Sequence, residues 1–319
     1  MTKHALNRPQ HILSDQSSPF FSLFPTTKSD KLDKFQWCGT DFSSTMGTQG
    51  PSTKEILLDA VEQTLGADYL QTIDPTDVSN IDGDVKGPAI TEAPVCITQL
   101  PIPPAFQEAM DRQNGLWDIV VGLKDHIPRW VPGSVIKWAA WRAGFKSQED
   151  ADYAAQQLEM AAQKWNEANV GVTFEWVPLA KDATFVLTHG GANGTTLARA
   201  FFPNGEDLNY VFVYSYAFSK EWKPHMWNVF MHELGHVLGL RHEFAIGDVR
   251  DEMTADREGE KAVRIDAPDP MSVMNYRNEP PQLQQSDVDS TRKFYSMTED
   301  ANGKSPSIGM TQVIDYTPR

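Results

Sequence analysis

Three histidines and a glutamate stand close together in this chain: His232, Glu233, His236 and His242, within the run HELGHVLGLRHE. Neutral imidazole is the commonest protein ligand for a transition metal, and a carboxylate can carry protons to and from a reacting group. On a helix, His232 and His236 lie one turn apart on one face, so both rings can reach a single ion. Glu233 lies beside them, able to touch a water on that ion but not placed as a ligand. Gly239 stops the helix, because glycine adopts the left-handed backbone that a helix exit often needs. The chain turns there and returns His242 as a third nitrogen ligand. Three protein ligands with one open position are what a catalytic zinc requires, whereas a structural zinc is closed by four. The cofactor expected is one catalytic Zn2+, and the metal ligands expected are His232, His236 and His242.

The elements that must hold these residues can be read from the surrounding pattern. A helix is expected from about Trp227 to Leu238. Upstream, Ser147 opens a helix whose Ala151, Ala154, Ala155, Leu158, Ala161, Ala162 and Trp165 recur with a helical period. Around it, Ser134 to Trp141, Val172 to Val177, Ala183 to Thr188, Leu197 to Phe202 and Tyr210 to Tyr214 read as strands. His189 to Thr196 is a Gly-rich turn, and Gln284 to Tyr295 reads as a closing helix. Strand, helix, strands and helix in that order give an α+β fold, with a mixed sheet packed against helices.

Beyond the histidines lies Met271-Ser272-Val273-Met274-Asn275-Tyr276. The long motif HExxHxxGxxH followed by Ser-Val-Met-Asn-Tyr resembles the metzincin clan of zinc peptidases, with its histidine motif and methionine-containing turn. RWVPGSVIKW is similar to the opening strand of astacin-like and matrixin-like domains, LARAFFP to the matrixin edge strand, and QQSDVDSTRKFY to the closing helix. The resemblance covers roughly residues 127–297. It implies a zincin fold: a mostly parallel twisted sheet, an active-site helix, a C-terminal helix, and zinc in a cleft between two subdomains. It also implies that the edge strand holds an extended peptide or protein substrate by β-augmentation.

The resemblance implies a zinc-dependent metalloendopeptidase in which Glu233 activates a zinc-bound water and Tyr276 acts as an oxyanion donor. Met274 would form a hydrophobic base under the histidines. The alternatives are a zinc-containing binding module without catalysis and a zinc peptidase restricted to small peptides; the intact Glu233 argues against the first. Matrixins carry a further structural zinc, but Arg199 stands where one of its ligands would sit and His189 alone cannot build such a site, so no second zinc is expected. The carboxylates from Asp248 to Asp269 lack calcium-loop spacing and read as a solvated loop.

The 319-residue chain has 28 basic and 43 acidic side chains, a net charge of −15. That balance argues against a nucleic-acid partner. No run is long and apolar enough to cross a membrane. The stretch MTKHALNRPQHILSDQSSPFF lacks the apolar core of a secretory signal, which points to the cell interior, whereas the family resemblance points to secretion. Oligomeric state is not legible.

We expect three parts: an N-terminal pro-like or regulatory segment (1–126), partly disordered; the catalytic domain (127–298); and a C-terminal tail (299–319). In the first part, Ser52 and Glu55 form a capping box for a helix to Leu70, with Ile56, Leu57, Ala60 and Leu65 as its apolar face. Residues 71–108 read as a linker or an extended segment lying over another domain. Asp84, in a weakly astacin-like stretch, and Cys96 are the candidate latency ligands, and neither is assigned as one. Cys38 and Cys96 are the only cysteines, and their pairing is open.

Overall fold

The computed structural model describes residues 51–76, 95–96, 126–142, 144–242, 265, 269–275, 279–300, 303–308 and 311–319. Helix α1 (Thr53–Leu65) is followed by strands β1 (Val95–Cys96), β2 (His126–Trp130) and β3 (Val135–Ala140). Helix α2 (Gln148–Ala168) leads to β4 (Thr173–Trp176), β5 (Phe185–His189), β6 (Thr196–Arg199) and β7 (Asn209–Val213). Helix α3 (Met226–Val237), helix α4 (Gln285–Ser296), β8 (Ser307–Ile308) and β9 (Thr311–Tyr316) complete the chain.

The main sheet has the order β1-β6-β7-β5-β3-β4. β4, β3, β5 and β7 run parallel, and β6 is antiparallel to β7. Parallel neighbours need a crossover, and α2 supplies it between β3 and β4. This is the mixed, mostly parallel sheet expected of an α+β zincin fold.

Strand side chains alternate between two faces, and each face here has its own apolar cover. Ile136 and Trp138, Phe185 and Leu187, and Val211 and Val213 join the main core with α2 and α3. Ala139, Val186 and Tyr210 point the other way, into a smaller cluster with Leu58 of α1, Trp141 and Leu208. Ser147 caps α2 by accepting from Asp150 N at 3.1 Å, and every apolar position expected on its inner face is buried. Trp165 of α2 donates its indole N–H to Met231 O of α3 at 3.0 Å, fixing the two helices against each other.

The N-terminal helix docks differently from expectation. The capping box between Ser52 and Glu55 is present. Its buried positions, however, are Lys54, Leu58 and Val61, while Ile56 is 57% exposed. A polar grip sets this rotation: Lys54 donates Nζ to Ala183 O at 2.7 Å and its backbone N–H to Asp207 at 3.0 Å. The chain then runs across the sheet edge, where Ile73 N donates to Ala140 O and Trp176 Nε1 to Ile73 O, both at 3.0 Å. Residues 71–76 thus lie over the sheet-bearing part, as an extended overlay would.

RWVPGSVIKW forms two strands rather than one, because the turn at Pro132 and Gly133 (φ +82°) sends its halves into different sheets. β2 pairs in parallel with β9, from His126 opposite Gln312 to Trp130 opposite Tyr316. Residues 311–316, within the expected tail, therefore form part of a second, three-stranded sheet with order β2-β9-β8.

Candidate metal centre

Helix α3 is apolar nearly all round and is buried from Asn228 to Val237, so its polar residues need specific partners. His232 Nδ1 lies 2.7 Å from Val273 O and His236 Nδ1 lies 2.8 Å from Leu240 O. A carbonyl only accepts, so both Nδ1 atoms carry the proton and both Nε2 atoms present a lone pair. His242 Nε2 lies 3.2 Å from His232 Nε2 and 3.2 Å from His236 Nε2. Burial, before all other causes, lowers the pKa of all three: His232 to about 4, and His236 and His242 well below the usual histidine range. Neutral imidazoles converging in this way are suited to a cation.

The fit can be tested on spacing. Three nitrogens about 2.0–2.1 Å from a tetrahedral zinc stand about 3.3 Å apart, close to the 3.2 Å found between His242 and each of the other two. The three histidines form the only candidate metal cluster among the described residues. Glu233 is buried in the same helix, 1% exposed. Phe202, just past β6, meets the His236 ring edge-on at 5.4 Å, which brings the end of the antiparallel strand to the site.

His242 depends on how α3 ends. Gly239 has φ +91°, the left-handed backbone expected of it. Gly239 N donates to His236 O at 2.8 Å and Leu240 N to Gly235 O at 2.9 Å, the paired bonds of a Schellman exit. A side chain at Gly239 would also place its Cβ 2.6 Å from Pro128 O.

The turn after Met271 lies beneath the helix. A Cβ at Gly235 would run into Met274 Sδ, so the missing side chain lets the methionine pack against α3 as its expected hydrophobic floor. The turn is fastened by Asp287, a residue not singled out from sequence. Asp287 accepts from Ser272 Oγ at 2.5 Å, from Val273 N at 2.9 Å and from Gln284 N at 2.8 Å. Val273 O receives His232 Nδ1, so the backbone of one residue, Val273, links the Asp287 carboxylate to a candidate ligand. A capping-box position at the start of α4 was the available signal; its reach to the turn was not.

Tyr276 and Asp84 lie outside the described residues, as does Cys38. Cys96 falls in β1, which pairs with β6 in parallel: Val95 opposite Thr196 and Cys96 opposite Ala198. His189 packs tilted against Phe145 and edge-on against Phe218, and its Nε2 lies 3.2 Å from Ser215 Oγ.

Comparison with curated proteins gave no match. A family model, matrixin, matches residues 138–276, from β3 through the histidine motif to the tyrosine after the methionine turn. That family consists of zinc metallopeptidases acting on peptides or proteins, and no helix among the described residues is long and apolar enough to cross a membrane. Residues 138–276 are thus similar to the matrixins, a family of the metzincin clan.

Proposed function

We propose that the protein is a zinc-dependent endopeptidase with its centre at His232, His236 and His242. The carrying observation is the convergence of three buried, neutral histidines whose proton-bearing Nδ1 atoms, where assigned, are turned outward to carbonyls. Each would hold the ion through Nε2. The ion supplies Lewis acidity toward a carbonyl oxygen and toward water. Glu233 takes a proton from the attacking water and delivers it to the amide nitrogen as the C–N bond breaks. Tyr276 donates to the developing oxyanion.

The substrate is held in extended form along β6. That strand is antiparallel to β7, carries only the two-residue β1 on its outer side, and leads into Phe202 at His236, which supports β-augmentation next to the reacting bond once β1 is displaced. Residues 1–126 act as a pro-like segment, the domain 127–298 carries catalysis, and 299–319 follows it. The pairing of Val95–Cys96 with β6 supports latency by occupation of the substrate strand. Replacing Cys96 by Pro removes a backbone donor and disfavours pairing, so Cys96→Pro is expected to raise peptidase activity of the full chain while Cys96→Ser leaves it unchanged. The reverse pattern would assign latency to the thiol instead.

Cleavage of unfolded casein beside Glu233→Ala, with zinc quantified in both, tests the reading. Expected are equal zinc contents and a loss of about 10²–10⁴-fold in the variant. Zinc without cleavage, even in Cys96→Pro, would leave a binding module. Cleavage of short peptides but never casein would restrict the enzyme to small substrates.

A further inference from the structure

We propose that Arg129 and Asp315 are positioning residues for the metal centre, through which the C-terminal strand fixes the turn that returns His242. The inference rests on the zinc-site reading above.

The last carbonyls of α3 are held from outside the helix. Val237 O accepts the Trp130 indole N–H at 2.7 Å, and Leu238 O accepts the Tyr295 hydroxyl at 3.0 Å. Gly239 packs against Pro128 O so closely that no side chain fits. Three successive residues, 237 to 239, are therefore gripped by β2 and α4, and His242 follows three residues later. His232 is held separately, by Val273 O.

Arg129 joins the gripping elements. It is 1% exposed. Its Nη1 donates to Phe294 O at 2.6 Å and Met297 O at 3.0 Å, at the end of α4. Its Nε and Nη2 reach the two oxygens of Asp315 on β9 at 2.7 and 2.8 Å. This fork-to-fork geometry fixes direction as well as charge. Among the described residues β9 is the strand partner of β2, and Val131 N continues the ladder to Tyr316 O at 2.8 Å. Without the carboxylate, a buried guanidinium loses its counter-charge and must hydrate or shift. β2 and the end of α4 would move with it, and the 237–239 turn would lose its frame.

The experiment uses full-length protein stripped with a chelator and compared as wild type, Asp315→Asn, Asp315→Glu and Tyr295→Phe, at a temperature where each is fully folded. Zinc affinity is read by competition with a chromophoric chelator, and geometry by the visible spectrum of the Co(II) form. For Asp315→Asn we expect about tenfold weaker zinc binding, as for loss of an outer-sphere partner, and a weaker, shifted Co(II) band. Asp315→Glu, which restores the charge, should recover most of both. A lower melting temperature with unchanged affinity and spectrum would make the pair merely structural and overturn the proposal. If Asp315→Asn does not fold, Tyr295→Phe, lacking only the hydroxyl on Leu238 O, decides the matter by the same two readouts. Absence of zinc binding in the wild type would instead overturn the metal-centre reading itself.

Discussion

At the scale of single residues, the site is a set of polar groups made tolerable in an apolar helix by specific partners. Asp287 shows how far that support extends. Burial raises its pKa above the usual carboxylate value, against the opposing hydrogen bonds from Ser272, Val273 and Gln284. The folded state therefore takes up this proton more readily than the unfolded chain. The resulting stabilisation is complete below the unfolded value and is lost as pH rises through the folded one. Asp287→Asn cannot titrate, so the stability of wild type relative to the variant should fall as pH rises from about 3.8 and then level off. Urea unfolding of the chelator-treated proteins across the acid range would measure it; a parallel pair of curves would contradict the shift. Gly239→Ala combines a positive φ with a clash against backbone. It should cost about 1–3 kcal/mol in the same assay, beyond the usual effect of adding a methyl group.

At the scale of elements, α3 is only half of the candidate metal centre. Its own geometry brings His232 and His236 together, but His242 is delivered by a Schellman turn pinned by β2 and α4. Metal and turn should reinforce each other. Zinc at 100 times its dissociation constant would stabilise the folded state by about 2.7 kcal/mol. Chelation should therefore lower the melting temperature, and added zinc should restore it; calorimetry with and without chelator checks this. A chelator-insensitive melting temperature would mean that the three imidazoles hold no ion in solution.

At the scale of the whole molecule, the sheet is covered on both faces, and one cover comes from the N-terminal part. Leu58 and Ile73 are buried against the sheet-bearing part, each contributing about 1.5–3 kcal/mol before the cost of ordering the segment. A chain beginning at 126 should thus be less stable and more prone to aggregate than one beginning at 51. Equal melting of the 126–319 and 51–319 chains would show the overlay to be dispensable.

The clustering of the three histidines and the helix that carries two of them were legible without structure, because helical periodicity puts His232 and His236 on one face and a glycine that ends the helix returns His242. The order of strands and helices followed likewise from local alternation and capping, as at Ser147. What the sequence could not supply were contacts made between residues far apart along the chain. The burial of α1 on Lys54, Leu58 and Val61 rather than Ile56 depends on where Ala183 and Asp207 lie. The grip of Asp287 on the methionine turn, the pairing of β2 with β9, and the ion pair of Arg129 with Asp315 across 186 positions have no local period. Local propensity fixes how a segment folds on itself; only packing decides which distant carbonyl or carboxylate its donors meet.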